Sequence, residues 1–183
     1  HFYFVHSYQM KVFSTEQRLA HASYGGDITA IVAKDNMAGL QFHPEKSDKI
    51  GLQMINNFIN WAGGLDLLVN NASSFYPTPV GTITDNQWHD LMGTNLKGPL
   101  FITQAATNAL KEAKGSVINL IDIHTRSPLK NHPIYGSAKA GLKMLTRSLA
   151  KDLAPEIRVN GISPGAILWP EEGMTEDVKK DIL

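Results

Sequence analysis

The 183-residue chain contains no cysteine. That absence removes disulfides, thiolate metal sites and thiol nucleophiles together. Net charge is absent too, because Lys+Arg and Asp+Glu both number 17. Without a field of one sign, nothing electrostatic favours nucleic acid as a partner. No apolar run is long enough to span a bilayer, and the apolar opening Phe2-Tyr3-Phe4-Val5 is too short for a signal-peptide core and has no basic lead. A cytoplasmic protein is expected. The chain opens on His1 instead of Met, as a fragment or a processed product does. Also missing is a glycine-rich turn between a strand and a helix, the usual cradle for phosphate. Gly25-Gly26 precedes a hairpin-like segment and Gly63-Gly64 precedes a strand. His124 and His132 are separated by a loop and lack further ligands, so no metal site is expected. What is present is a folding composition, 43% apolar and 19% charged, which suits a globular core and not a disordered tail.

Along the chain the apolar rhythm changes once. Residues 2–6, 28–33 and 37–42 read as short strands, with Lys34-Asp35-Asn36 as a hairpin turn between the last two. Ser47 or Asp48 opens a helix to about Trp61, carried by Ile50, Met54, Ile55, Phe58 and Ile59 at helical spacing and stopped by Gly63-Gly64. From Leu65 onward, apolar runs at 65–69, 117–121 and 159–163 alternate with long helical patterns at 85–114 and 133–153. Pro99 should kink or divide the first helix, and Pro133 suits the first turn of the second. The tail at 175–183 reads as a short helix. Strands alternating with helices imply right-handed crossovers and a mostly parallel sheet covered on both sides, with residues 65–69 buried on both faces. The fold class is α/β, a three-layer sandwich of Rossmann-like or flavodoxin-like type.

Tyr135 and Lys139 stand four apart and therefore share a helix face. A phenol is a poor acid near neutrality, and a nearby ammonium should lower its pKa so that it can exchange a proton. Asn70-Asn71-Ala72, Asp122 and Ser163-Pro164-Gly165 each end one of the three buried runs, and Asn95 lies in the helical pattern between the first two. In an open parallel sheet, ligands bind beyond the carboxyl ends of the strands, so all three strand ends should meet Tyr135 and Lys139 at one rim. Singly, each residue has a plainer reading: Asn71 as a turn, Phe75 as a core aromatic, Asp122 as a loop cap, Pro164-Gly165 as a turn. Their joint order carries the argument.

In that order the residues resemble the short-chain dehydrogenase/reductases. The run Asn71-Ala72-Ser73-Ser74-Phe75-Tyr76-Pro77-Thr78-Pro79, with Asp122 where most of that family has Ser, is similar to the pteridine reductases. The resemblance covers residues 65–183. It implies that Tyr135 and Asp122 handle the substrate proton, that Lys139 holds the nicotinamide ribose, and that Asn95 supports Lys139 through water. It implies further that Asn71, Ala72, Ser73, Pro164 and Gly165 bind the cofactor and that Phe75 stacks on a pterin. The implied reaction is NADPH-dependent reduction of a dihydropterin or dihydrofolate. The missing glycine-rich turn implies weakened NADPH binding. Self-association through the two long helices is implied as well.

Residues 1–61 resemble a second family. Phe4-Val5-His6-Ser7-Tyr8, Tyr24-Gly25 and Gly39-Leu40-Gln41-Phe42-His43-Pro44-Glu45-Lys46-Ser47 are similar to the end of class I glutamine amidotransferases, above all glutaminase subunits of imidazole glycerol phosphate synthase. There His43 would be the general base and Glu45 its orienting partner. With no cysteine to activate, glutaminase activity is excluded in practice. The chain therefore reads as a hybrid packed as one domain, with the strand at 37–42 and the helix at 48–61 standing before the strand at 65–69. The alternative to a reductase is a non-catalytic chimeric α/β fold.

Overall fold

The computed structural model describes residues 4, 9–35, 37–41 and 47–165. The expected strand at 2–6, the pair His43 and Glu45, and the tail helix at 175–183 fall outside the described residues.

The first part is an antiparallel sheet in the order β1-β2-β3, formed by β1 (Arg18–Ser23), β2 (Asp27–Lys34) and β3 (Met37–Leu40). Lys34 pairs with Met37, so the turn between β2 and β3 is two residues long, and Asp35 takes the positive φ of 52° that such turns require. A preceding turn, which the sequence reading missed along with β1, uses Gly25 at φ 63°.

Helix α1 (Asp48–Ala62) ends on Gly63 in the left-handed conformation, as its sequence predicts. The second part is a parallel sheet in the order β4-β5-β6, formed by β4 (Leu67–Asn70), β5 (Ser116–Leu120) and β6 (Arg158–Ile162). Gly115 leads into β5, and a Cβ there would lie 2.8 and 2.9 Å from the carbonyl oxygens of Asp66 and Leu65. Only glycine lets the two chains approach this closely.

The long helical pattern expected at 85–114 is three pieces: α2 (Asp85–Met92), a π-helical turn at Gly93–Lys97, and α3 (Gly98–Ala113). Pro99 explains the break. It has no N–H for the carbonyl of Asn95, and its ring crowds that carbonyl, so the helical register slips just before it. Thr84 and Gln87 close the start of α2 with a reciprocal capping box. Helix α4 (Pro133–Asp152) carries Pro133 in its first turn, as expected.

Helices α1, α3 and α4 all serve one core. Ile59 of α1, Ala106 and Leu110 of α3, Val117 of β5, and Val159 of β6 are buried together with Ile157, and Leu149 and Ala150 of α4 pack against them. Leu68 of β4 joins this core. Its neighbours Leu67 and Val69 point the other way and are 48% and 47% exposed. The expectation that this strand is buried on both faces is therefore corrected. Alternate residues of a strand face opposite sides, and among the described residues the helices lie on Leu68's side. The same limit applies to the expected strand neighbour: β3 pairs with β2, while α1 packs on α3. The helix of the N-terminal part thus meets the parallel unit, while among the described residues β3 pairs with β2 and not with β4.

A polar ladder crosses the core at the carboxyl end of the sheet. Asn70 Nδ2 donates to Asn119 Oδ1 at 2.8 Å and to Thr103 Oγ1 at 3.3 Å, and Asn119 Nδ2 donates to Thr146 Oγ1 at 2.9 Å. Asn70 and Asn119 are register partners, so their amides meet on one face. Buried amides are costly unless paired; here one bond ties the two strands together and the other two tie them to α3 and α4.

Candidate active site

Asp122 stands two residues after the end of β5 and its carboxylate does two tasks. Oδ1 accepts the backbone N–H of His124 at 2.8 Å and so caps the 3-10 turn at Ile123–Thr125. Oδ2 accepts the phenolic O–H of Tyr135 at 2.5 Å. The residue that caps the loop is therefore also the hydrogen-bond partner of Tyr135. Tyr135 sits in the first turn of α4, buried against Leu91 and Ile134. One helical turn on, Lys139 is also buried, 3% exposed. Its Nζ donates to the carbonyl of Leu120 at 2.9 Å and lies 5.8 Å from the centre of the Tyr135 ring.

The electrostatics differ from the sequence reading. Burial pushes the Tyr135 phenol well above its ordinary range, and the Asp122 carboxylate adds to that rise by hydrogen bond and by charge, while Ser73 works weakly against it. Burial also lowers the Lys139 ammonium's pKa, opposed by the charge of Asp122. The expected lowering of Tyr135 by Lys139 is thus replaced by a raised phenol, because desolvation and a carboxylate at hydrogen-bond distance outweigh an ammonium beyond the ring.

Asn95, fully buried in the π-helical turn, spends its carboxamide on the other strand end. Its Oδ1 accepts from Ser73 Oγ at 2.6 Å, and its Nδ2 donates to the carbonyls of Ser74 and Leu91, both at 2.9 Å. These bonds hold the segment after β4, and the protein atoms bonded to Asn95 do not include Lys139. Asn71, Ala72 and Ser73 lie exposed on that segment. Phe75 stacks on the His132 ring at 4.7 Å and 10°, and meets the Tyr135 ring edge-on at 4.8 Å.

A cavity of about 310 Å³ opens beside this group, with Phe75, Asp122 and Tyr135 on one part of its wall and Pro164 and Gly165 on another. Ile123, His124 and Leu129 complete it. The structure thus brings Tyr135, Asp122, Lys139, Phe75, Pro164 and Gly165 to one rim of the parallel sheet. Ser73 and Asn95 form the adjoining support. Two residues missed as site members are His124 and His132, which the sequence offered only as unlikely metal ligands. Position was the available signal, two residues after Asp122 and three before Tyr135. Among the described residues no group of three or more His, Asp or Glu could hold a metal, and no helix is long and apolar enough to cross a membrane.

Comparison with known proteins divides the chain as the residues do. Imidazole glycerol phosphate synthase subunit HisH of Ruegeria pomeroyi is 61% identical over 61 residues, 33% of this chain and 29% of that protein. Pteridine reductase 1 of Leishmania tarentolae is 34% identical over 150 residues, 68% of this chain and 52% of that protein. The chain thus spans between 29% and about half of these relatives. Among solved structures, acetoin dehydrogenase from Enterobacter cloacae superposes with a TM-score of 0.63 at 31% identity, covering 69% of this chain and 51% of that one. Acetoin dehydrogenase from Salmonella typhimurium gives 0.60 at 30%, covering 64% and 50%. The short chain dehydrogenase family itself matches residues 15–181. With a hydrogen-bonded tyrosine and a buried lysine on one helix at the carboxyl rim of a parallel sheet, the chain belongs to the short-chain dehydrogenase family, joined to a segment similar to a glutamine amidotransferase.

Proposed function

We propose that this chain carries the proton-delivering side of an NADPH-dependent reduction of a dihydropterin or dihydrofolate. The observation that supports this most is the 2.5 Å bond from Tyr135 to Asp122 on the wall of a cavity that also has an aromatic platform, Phe75. In the reaction a C=N bond gains a hydride at carbon and a proton at nitrogen. A reduced nicotinamide, when bound, supplies the hydride.

The chain's own residues supply the rest. Burial and Asp122 keep the proton on Tyr135 Oη. The proton passes from there to the substrate nitrogen, and Lys139 offsets the charge left on the phenolate oxygen. The residues fit the nicotinamide end of such a cofactor. Lys139 spends one N–H on Leu120, and its other two are free for ribose hydroxyls. Pro164 and Gly165 offer a flat wall with no side-chain donor to compete. Within these 183 residues no glycine-rich helix start cradles a pyrophosphate, so binding rests on the nicotinamide end and is weak.

The same reading gives two units, 1–61 and 65–183, in a cytoplasmic protein that self-associates through α3 and α4. Phe101 and Met144 lie exposed on those helices, which supports the last point. Titration with NADPH followed by tryptophan fluorescence, and dihydropterin turnover, test the proposal. Tyr135→Phe should cut turnover by about 100-fold or more while leaving the fold intact. Absence of NADPH binding at millimolar concentration would overturn the reading.

A further inference from the structure

We infer that His124 is the specificity-determining residue of the cavity, presenting Nε2 as a hydrogen-bond acceptor to an amino group on the edge of a flat heterocycle. The inference rests on the reductase reading for the kind of substrate, but its chemistry comes from the loop. His124 Nδ1 lies 3.1 Å from the carbonyl oxygen of Ser127. A carbonyl can only accept, so Nδ1 carries the hydrogen, and in the neutral ring Nε2 bears the lone pair. The backbone of His124 is held as well, because its N–H donates to Asp122 Oδ1 at 2.8 Å. The main chain of His124 and the carboxylate of Asp122 are thus tied together by one 3-10 turn.

His124 lines the same cavity as Phe75, Asp122 and Tyr135. The other polar groups of that wall are engaged with each other: Tyr135 donates to Asp122, whose second oxygen accepts from the His124 backbone. Among the described residues no protein donor reaches His124 Nε2, which leaves it available as an acceptor for a ligand. A heterocycle lying on Phe75, with its reacting nitrogen at Tyr135, would find Leu129 as an apolar wall and His124 as an acceptor. A ligand lacking an N–H at that edge leaves Nε2 unpaired and loses the corresponding discrimination.

The test is direct binding to the full chain, by calorimetry, of pterin and of pteridin-4-one, which lacks only the exocyclic amine. Hydride transfer plays no part in this measurement, so loss of turnover and loss of recognition are read separately. The wild type should prefer pterin by about 10-fold, the size of one well-made hydrogen bond. His124→Leu should abolish that preference, and His124→Gln, which places an amide oxygen at similar reach, should restore much of it. In turnover, His124→Leu should raise KM and leave kcat within about twofold. Equal affinity of the wild type for both probes, or an undiminished preference in His124→Leu, would overturn the assignment even if dihydropterin is reduced.

Discussion

Replacing Asp122 by asparagine tests the electrostatic account of the site most directly. In the native loop, one carboxylate oxygen accepts from the His124 backbone and the other from Tyr135. An amide has a single oxygen and cannot do both. If the oxygen stays with His124, the NH2 group faces Tyr135 Oη and turns the phenol from donor to acceptor, which favours the phenolate. If the oxygen stays with Tyr135, the hydrogen bond survives but loses its charge. Either arrangement lowers the phenol's pKa. A hydrogen bond to a charged group is worth about 1.5–3 kcal/mol against about 1 for a neutral one. At about 1.4 kcal/mol per pH unit, the fall should be about one unit, and more in the first arrangement. Burial, the larger cause of the rise, is untouched, so the phenol should remain above its ordinary value of about 10. Tyrosinate absorbance, with Tyr135→Phe as the blank, reads the shift.

Stability follows with a definite sign. A native phenol pKa raised above the unfolded value favours the folded state fully below about pH 10. That contribution is lost as pH climbs from there through the native value. Asp122→Asn should therefore end the alkaline loss at lower pH, and Tyr135→Phe should remove it. A phenol that titrates unchanged or higher in Asp122→Asn would refute the reasoning.

The two faces of the parallel sheet should respond unequally. Leu110→Ala, in the core beneath the sheet, should cost about 2–5 kcal/mol in denaturant unfolding, whereas Leu67→Ala, half exposed, should cost less than about 1. Gly115→Ala puts a methyl group against two backbone carbonyls; it should lower stability by about 1–3 kcal/mol, read in the same unfolding curves. His132→Ala removes the ring stacked on Phe75. Such a pair is worth about 0.5–1.5 kcal/mol, so KM for a dihydropterin should rise by about 2- to 10-fold with kcat little changed, and equal KM values would show that Phe75 needs no backing.

The sequence by itself determined the local elements and the list of chemical groups. Helical spacing from Ile50 to Ile59 and the stop at Gly63 fix α1, Lys34 and Asp35 mark a hairpin, and Pro99 announces a break, because each depends on residues close in the chain. The order of Asp122, Tyr135, Lys139 and Pro164 was enough to expect these groups at one rim, since strand ends of a parallel sheet share it. Only the tertiary structure decided what surrounds those groups. An apolar run looks the same whether one face or two are covered, so the exposure of Leu67 and Val69 depends on where α1, α3 and α4 pack. Acidity is likewise a property of distance and burial. Asp122 lies 13 residues from Tyr135 in sequence and 2.5 Å from it in space, and burial together with that contact reverses the shift expected from Lys139 alone.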